Sequence, residues 1–273
     1  MSLSAPAIRA RKRARGDAAL VMVTAYDEPA ARYADAAGVD ILLVGDSVAN
    51  VVMGQADTLH VTLAEMVHHV AAVAAARPAA HVVADMPWLS YHVGASDAVR
   101  NAAELIRAGA QSVKLEGGHA RLEVVRALLD AEIPVMGHLG LTPQSVLAMG
   151  GFKVQARSRD AAKLLVEDAL LLQEEGVYAI VIEGVPSAVG SEVTAALEIP
   201  TIGIGAGSDT DGQVLVFHDL LGLTGRKPAR FVRQYAQLGE AITEAIGRYA
   251  ADVRDGSFPS EAESYPNPEE TGH

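Results

Sequence analysis

The chain contains 273 residues, of which 50% are hydrophobic and 21% are charged, a profile typical of a globular protein with a large core. It has no cysteine, which excludes disulfides, thiolate metal sites and a cysteine nucleophile, so any metal must be held by oxygen or imidazole. The formal net charge of −12 argues against a nucleic-acid-binding protein.

The chain begins with a basic segment over residues 1–17, which we expect to form a short helix. Its cations are Arg9, Arg11, Lys12, Arg13 and Arg15. A basic arm for nucleic acid is one interpretation, but we favour the solvated face of a terminal helix. No stretch has the apolar core of a secretory signal, and none approaches the roughly 20 apolar residues of a membrane span. We therefore expect a cytoplasmic protein that binds neither nucleic acid nor membrane.

Short apolar runs alternate with longer helical patterns along the rest of the chain. The eight predicted strands lie near residues 19–26, 40–46, 81–87, 112–118, 134–140, 178–184, 200–207 and 213–220. Amphipathic helical patterns separate most of them, although only "SDTDGQ" separates strands seven and eight. Such alternation predicts a single-domain α/β fold, a (β/α)₈ TIM barrel over 18–256, rather than a dinucleotide-binding sheet, because no G-x-G-x-x-G follows the first strand. The acidic tail over 257–273 is expected to be loosely ordered.

Polar residues stand at the carboxyl ends of five predicted strands. They are Asp46, Asp85, Glu116, His138 and Glu183. In a (β/α)₈ barrel these ends meet at one rim, where the active sites of such enzymes lie. The alternative for each acid is that it caps the following helix. If Asp46 points inward, we expect Leu42 and Val44, which share its face of the strand, to help fill the barrel interior.

Carboxylates brought together in this way favour a cation that compensates their repulsion. Because oxygen donors dominate, Mg²⁺ or Mn²⁺ is favoured over Zn²⁺, with Asp46 and Asp85 as direct ligands. Lys114 lies two residues before Glu116, so the pair suits a substrate carboxylate beside a metal, although a structural ion pair is the alternative. Glu183 is the candidate base that removes a proton beside a carbonyl, where a metal would stabilise the resulting enolate.

His138 also belongs to this predicted rim, in "MGHLGLTPQS". Its imidazole is suited to donate a hydrogen bond to the substrate or to one of the acids. A histidine that simply satisfies its hydrogen bonds inside the core is the alternative.

Several longer motifs resemble the ketopantoate hydroxymethyltransferase family. The resemblance extends in consistent order over about residues 18–260. The motifs are "TAYD" at 24–27, "GDS" at 45–47, "VTLAEMVHH" at 61–69, "ADMP" at 84–87, "VKLEGG" at 113–118, "GHLGLTPQS" at 137–145, "GGFKVQAR" at 150–157 and "IPTIGIGAGSDTDGQVLVFHD" at 199–219.

The resemblance implies a Mg²⁺-dependent transfer of a one-carbon unit from 5,10-methylenetetrahydrofolate to 3-methyl-2-oxobutanoate. The product is 2-dehydropantoate, in pantothenate biosynthesis. By the same resemblance Asp46 and Asp85 bind Mg²⁺ beside the substrate, and Glu116 contacts the metal through water. Ser47 and Lys114 hold the substrate, and Glu183 removes the C3 proton. The resemblance also implies a homo-oligomer, commonly a decamer.

The sequence departs from the family pattern at three places. Leu-Gly-Met after "GDS" is replaced by Val48-Ala49-Asn50, Cys after the catalytic Glu by Gly184, and Gly in "VQGR" by Ala156. We interpret these as changes in loop conformation or folate contacts.

Two other functions compete with this one. One is a Mg²⁺-dependent lyase or mutase barrel of the isocitrate lyase and phosphoenolpyruvate mutase type, although such enzymes usually carry a cysteine in a catalytic loop. The other is a non-catalytic 2-oxo acid binding paralogue.

Overall fold

The computed structural model describes residues 2–12 and 18–266. The chain divides into two compact units, one containing Met1–Phe217 and Ala229–Val232, the other containing His218–Pro228 and Arg233–His273. The predictions made for Arg13 and Arg15, and for residues 267–273 of the tail, lie outside the described residues.

The first unit contains a closed barrel of eight parallel strands, which confirms the predicted (β/α)₈ fold. Each strand pairs with the next, and the last pairs with the first. The strands are β1 (Leu20–Thr24), β2 (Ile41–Val44), β3 (His81–Asp85), β4 (Ser112–Glu116), β5 (Val135–Gly140), β6 (Ala179–Glu183), β7 (Thr201–Ile204) and β8 (Gly212–Leu215).

Helices follow most strands and begin at recognisable caps. The Asp27 and Ser158 side chains each accept a hydrogen bond from the first turn of the helix that follows, and Thr62 forms a capping box with Glu65. As predicted, the described residues between β7 and β8 contain no helix. The helices are α1 (Ala5–Arg9), α2 (Glu28–Ala36), α3 (Val48–Val51), α4 (Leu63–Ala75), α5 (Ala95–Arg107), α6 (Leu122–Asp130), α7 (Val146–Met149), α8 (Arg159–Glu175), α9 (Ser187–Ala196), α10 (Phe217–Leu220) and α11 (Leu238–Asp255).

Apolar residues form two layers, one inside the barrel and one between the strands and the surrounding helices. Ile41 and Leu43 of β2 belong to the cluster inside the barrel, whereas Leu42 and Val44 pack in the layer between strands and helices. The expectation that Leu42 and Val44 fill the interior is therefore wrong, because the strand presents its other face inward. Asp46 reaches the rim only because the chain has left the strand after Val44.

Helix α1 closes the amino-terminal end of the barrel. Ile8 is fully buried in the interior cluster, and Lys12 Nζ lies 2.9 Å from Asp211 Oδ2, just before β8. Arg9 donates a hydrogen bond to the Val177 carbonyl (3.2 Å), close to the start of β6. The expectation of a solvated basic face is therefore wrong for Lys12, whereas Arg9, although hydrogen-bonded, is exposed as expected.

The second unit contains α11, an 18-residue helix with no buried side chain. It ends at Gly256, whose φ of +80° is the left-handed conformation that glycine adopts most readily. No helix in the described part of the chain is both long and apolar enough to cross a membrane.

Candidate active site

The carboxyl ends of β3 to β6 carry the predicted polar residues side by side. Strand pairing places Asp85 opposite Lys114, and Glu116 opposite His138. Glu183 ends β6, where it pairs with Gly140 at the end of β5. The structure thus gathers the acids, the lysine and the histidine at one end of the barrel.

Asp46 and Ser47 enter the same rim from the loop after β2. The backbone N–H of Asp46 donates a hydrogen bond to Asp85 Oδ2 (3.1 Å), which holds the two acids together. Gly45 makes this approach possible, because a Cβ at this position would lie 2.8 Å from Ser47 Oγ and 3.5 Å from Asp85 Oδ2.

The four acids do not cap the helices that follow them, so the alternative explanation for their positions does not apply. The N-cap residues of α3, α5, the 3₁₀ turn after β4, and α9 are respectively Ser47, Gly94, Gly118 and Pro186.

Lys114 lies among the acids and is 4% exposed. Its Nζ is 2.8 Å from Asp85 Oδ1 and 3.2 Å from His138 Nδ1. Burial lowers the pKa of Lys114, but the charges of Asp85, Glu116 and Asp46 outweigh burial, so the net shift of the pKa is upward. Lys114 therefore stays cationic inside the barrel rim.

His138 lies between two carboxylates, with Nδ1 3.5 Å from Glu116 Oε1 and Nε2 3.1 Å from Glu183 Oε2. Burial and Lys114 lower its pKa, but the hydrogen bonds to Glu116 and Glu183 raise the pKa to about 9 overall. A neutral ring can accept a hydrogen bond from Lys114 at Nδ1, whereas the imidazolium donates to both acids.

The site carries more negative than positive charge. Four acids, Asp46, Asp85, Glu116 and Glu183, are gathered here with only two basic residues, Lys114 and His138. Burial raises the pKa of Asp46 well above its usual value, and the charges of Asp85 and Glu116 raise that pKa further. A divalent cation would neutralise the excess.

The residues present fit a metal that takes few protein ligands. Within 2–12 and 18–266, no three His, Asp or Glu side chains converge as a metal-binding group. Asp46 and Asp85 are neighbours, because the Asp46 backbone N–H donates to Asp85 Oδ2. Mg²⁺ is typically bound by one or two carboxylates with waters and substrate oxygens, so this arrangement suits it.

Ser47 is held by a buried tyrosine that the sequence analysis did not single out. The hydroxyls of Ser47 and Tyr26 lie 2.8 Å apart. Burial, offset only in part by Ser47 and Thr24, raises the pKa of Tyr26 well above its usual value, so its hydroxyl stays protonated. Tyr26 lies in "TAYD", just after the first strand. Its position after a buried strand is the only local feature of the sequence that could have indicated a role for Tyr26 in the site.

Gln144 was also missed, although it lies in the quoted motif "GHLGLTPQS". Its side chain donates hydrogen bonds to Asp46 Oδ2 (2.9 Å) and the Met86 carbonyl (3.0 Å), and it accepts one from Tyr91 (2.6 Å). The partners lie far away in sequence, so no local pattern indicates these contacts.

The departures from the family pattern differ in their structural consequences. Ala49 lies inside α3, where no glycine conformation is needed. Gly184 has φ of +58°, and a Cβ there would lie 3.0 Å from Leu141 Cβ. Ala156 has φ of +52°, a conformation that glycine adopts more readily than alanine.

Solved structures with similar backbones include 2,3-dimethylmalate lyase, described as a PEP mutase/isocitrate lyase superfamily member. The two share 18% identity and a TM-score of 0.58, over 97% of this chain and 93% of the other. A phosphonopyruvate hydrolase complex with oxalate and Mg²⁺ shares 14% identity and a TM-score of 0.60, over 99% and 93% of the two chains. At these identities the likeness demonstrates the fold alone.

Sequence comparison is more specific. The family model described as ketopantoate hydroxymethyltransferase matches residues 3–261. The 3-methyl-2-oxobutanoate hydroxymethyltransferase 2 of Bradyrhizobium diazoefficiens is 56% identical over 93% of this chain and 87% of its own length. The 3-methyl-2-oxobutanoate hydroxymethyltransferase of Moorella thermoacetica is 53% identical, over 95% and 96% of the two chains. This chain therefore belongs to the ketopantoate hydroxymethyltransferase family and is a hydroxymethyltransferase enzyme.

Proposed function

We propose that the enzyme transfers a one-carbon unit from 5,10-methylenetetrahydrofolate to 3-methyl-2-oxobutanoate in a Mg²⁺-dependent reaction that yields 2-dehydropantoate. The observation that carries the proposal is the convergence of four acids, with Lys114 and His138, at one rim of the barrel. Family membership supports the hydroxymethyl transfer, and the names of the relatives support the acceptor.

Asp46 and Asp85 would hold the metal, and Glu116 would contact it through water. When bound, Mg²⁺ supplies a Lewis acid that polarises the carbonyl of the 2-oxo acid. The three acids are nearly inaccessible to solvent, so their charges act through a medium that screens little.

Lys114 and Ser47 would orient the acceptor. The Lys114 ammonium, cationic and buried, offers donors to the carboxylate of the 2-oxo acid. The Ser47 hydroxyl is positioned by Tyr26 at 2.8 Å and is more exposed than Asp46 beside it. Ser47 follows Asp46 in the sequence, and Lys114 Nζ lies 2.8 Å from Asp85 Oδ1, so both groups are adjacent to a proposed metal ligand.

Glu183 would act as the base. Its carboxylate is 17% exposed, which leaves it accessible to a substrate, and His138 Nε2 holds it at 3.1 Å. Glu183 would take the C3 proton, and C3 would form a bond to the methylene carbon as the first of the donor's two carbon–nitrogen bonds breaks. Hydroxide from water would replace the second nitrogen on that carbon to give the hydroxymethyl group. The C3 proton and the remaining water proton would end on the two nitrogens, and tetrahydrofolate would leave.

We also propose that the enzyme is a homo-oligomer, with the decamer of its family as the expected form. Within α11 the apolar side chains Leu238, Ile242, Ile246, Tyr249 and Val253 recur at helical spacing and are all exposed. An apolar stripe of this kind is typical of a surface that packs against another chain.

Turnover tests the proposal directly. The purified protein with Mg²⁺ and 5,10-methylenetetrahydrofolate should convert 3-methyl-2-oxobutanoate to 2-dehydropantoate, and removal of the metal with a chelator should abolish the conversion. Absence of product under these conditions would contradict the proposal. Metal-dependent binding of the 2-oxo acid without product would support the non-catalytic alternative instead.

Exchange of the C3 proton with solvent deuterium tests the base without requiring folate. Glu183→Gln should lower the exchange rate by at least about 100-fold, because general base catalysis typically contributes that much, while substrate binding is retained. Glu192→Gln, an exposed position on α9, is the matched control and should exchange like the wild type. Exchange at the wild-type rate in Glu183→Gln would place the base elsewhere.

A further inference from the structure

Gln144 connects two of the acids assigned to the metal. Its side-chain amide donates to Asp46 Oδ2 at 2.9 Å, and its backbone N–H donates to Glu116 Oε2 at 2.9 Å. It lies in the 3₁₀ turn Pro143–Ser145 after β5 and is 5% exposed. These hydrogen bonds link the loop after β5 to acids that arrive from β2 and β4.

The orientation of the Gln144 amide is determined by its partners. Nε2 faces two acceptors, Asp46 Oδ2 and the Met86 carbonyl, whereas Oε1 accepts a hydrogen bond from the Tyr91 hydroxyl at 2.6 Å. The reverse orientation would place Oε1 against two acceptors, which is unfavourable. The Tyr91 oxygen in turn accepts a hydrogen bond from the Glu116 backbone N–H (3.2 Å), so Tyr91 is itself held in place.

The network leaves one carboxylate oxygen of Asp46 uncommitted. Oδ2 accepts from Gln144, and none of the described residues donates a hydrogen bond to Oδ1. The backbone N–H of Asp46 is bound to Asp85 Oδ2, so the main chain beside the carboxylate is also held. Partners of this kind around a metal ligand restrict its rotation and present a single oxygen to the ion.

We propose that Gln144, oriented by Tyr91, is a positioning residue that holds Oδ2 of Asp46 and thereby directs Oδ1 toward the metal. This inference rests on the proposed function, because it concerns an acid that we assign to Mg²⁺. Gln144 acts through Asp46 and does not itself contact the reacting atoms. A neutral amide does this without adding a charge to a site that already holds four acids.

Metal affinity measured without substrates tests the inference. Titration with Mn²⁺, followed by the loss of its free-ion paramagnetic resonance signal, should show binding about 10- to 100-fold weaker in Gln144→Met than in the wild type, the usual effect of losing a partner of a metal ligand. In turnover, the Mg²⁺ concentration for half-maximal rate should rise by a similar factor, and most of kcat should return at saturating Mg²⁺.

A milder variant covers the case in which Gln144→Met does not fold. Tyr91→Phe keeps the ring and removes the hydroxyl, which donates to Gln144 Oε1 and accepts from the Glu116 backbone N–H, so Mn²⁺ affinity should fall about 3- to 10-fold, as expected for the loss of such hydrogen bonds. Gln173→Met is the matched control. Gln173 accepts hydrogen bonds from the backbone N–H groups of Glu198 and Ile199, away from the rim, and its loss should leave Mn²⁺ affinity unchanged.

The outcomes separate this inference from the proposed function. Wild-type Mn²⁺ affinity in folded Gln144→Met, or in Tyr91→Phe where the former does not fold, would overturn the positioning role and leave the proposed function intact. A wild-type protein that binds neither Mn²⁺ nor Mg²⁺ would overturn both. An equal loss of affinity in Gln173→Met would show that a general loss of stability, and not positioning, causes the effect.

Discussion

Ala156 adopts a backbone conformation that suits it poorly. Its φ of +52° lies in the left-handed region, which costs an L-amino acid about 1–2 kcal/mol relative to glycine. The family motif has glycine at this position, so replacing it with alanine introduces backbone strain into the loop that follows α7. Gly184 is the converse case. Its φ is +58°, and here the chain has glycine where the family pattern has cysteine, a residue with a Cβ.

Ala156→Gly should therefore stabilise the protein. Relief of strain exceeds the extra chain entropy of glycine, and we expect the free energy of unfolding to rise by about 0.5–1 kcal/mol in urea denaturation. Ala103→Gly in the interior of α5 is the control, where the same change should cost about 1 kcal/mol. A loss of stability in Ala156→Gly would contradict this account.

Asp46 illustrates a conflict between function and stability. Burial and the neighbouring acids raise its pKa, so the folded protein binds that proton more tightly than the unfolded chain does. The contribution of Asp46 to stability is therefore fully present below its unfolded pKa of about 4, and it is lost as the pH rises through its higher folded pKa.

Asp46→Asn should consequently have opposite effects on two measurements. Without metal at pH 7 the variant should be more stable than the wild type, and its stability should fall less as the pH rises above about 4. Its Mg²⁺ affinity, measured by calorimetric titration, should fall about 100-fold because a charged ligand is lost. Unchanged affinity would remove Asp46 from the metal site.

At the scale of elements, α1 explains how the barrel is closed at the end opposite the active site. The helix has only five residues, so its own hydrogen bonds stabilise it little. Tertiary contacts stabilise the helix further, since Ile8 is fully buried and His81 Nδ1 lies 2.9 Å from the Leu3 carbonyl. Its role is to cover apolar surface at the start of the strands.

Ile8→Ala should lower the free energy of unfolding by about 2–4 kcal/mol, because it leaves a cavity inside the barrel. Thermal or urea denaturation would measure the change. The turnover rate of the folded variant should be retained, since α1 lies at the opposite end from the acids. Leu164→Ala, which is 62% exposed on α8, should change stability by less than about 0.5 kcal/mol, and equal losses would contradict the burial argument.

For the whole molecule, the apolar stripe of α11 predicts self-association. Ile242→Glu combined with Ile246→Glu should reduce the molar mass in light scattering, because charges cannot be buried against a second chain without large cost. Ala251→Glu lies on the opposite face of the same helix and should leave the mass unchanged. A wild-type protein that is monomeric at micromolar concentration would contradict the proposed homo-oligomer.

Much of this architecture could be read from the sequence, because its signals are local. Apolar runs of four to six residues between amphipathic helices indicated all eight strands, and parallel strands of one barrel must end at the same rim. The polar residue after each run therefore predicted that Asp85, Lys114, Glu116 and His138 lie together, before any distance was known.

Other features were decided only by the tertiary structure, because they depend on residues far apart in the chain. The bend at Gly45 that brings Asp46 to the rim depends on room beside Asp85, and strand alternation predicted the wrong interior face for Leu42 and Val44. Gln144 and Asp46 are separated by 98 positions. Hydrophobic periodicity reports which side of an element is buried, but only the folded chain determines which side chains exchange hydrogen bonds across the barrel.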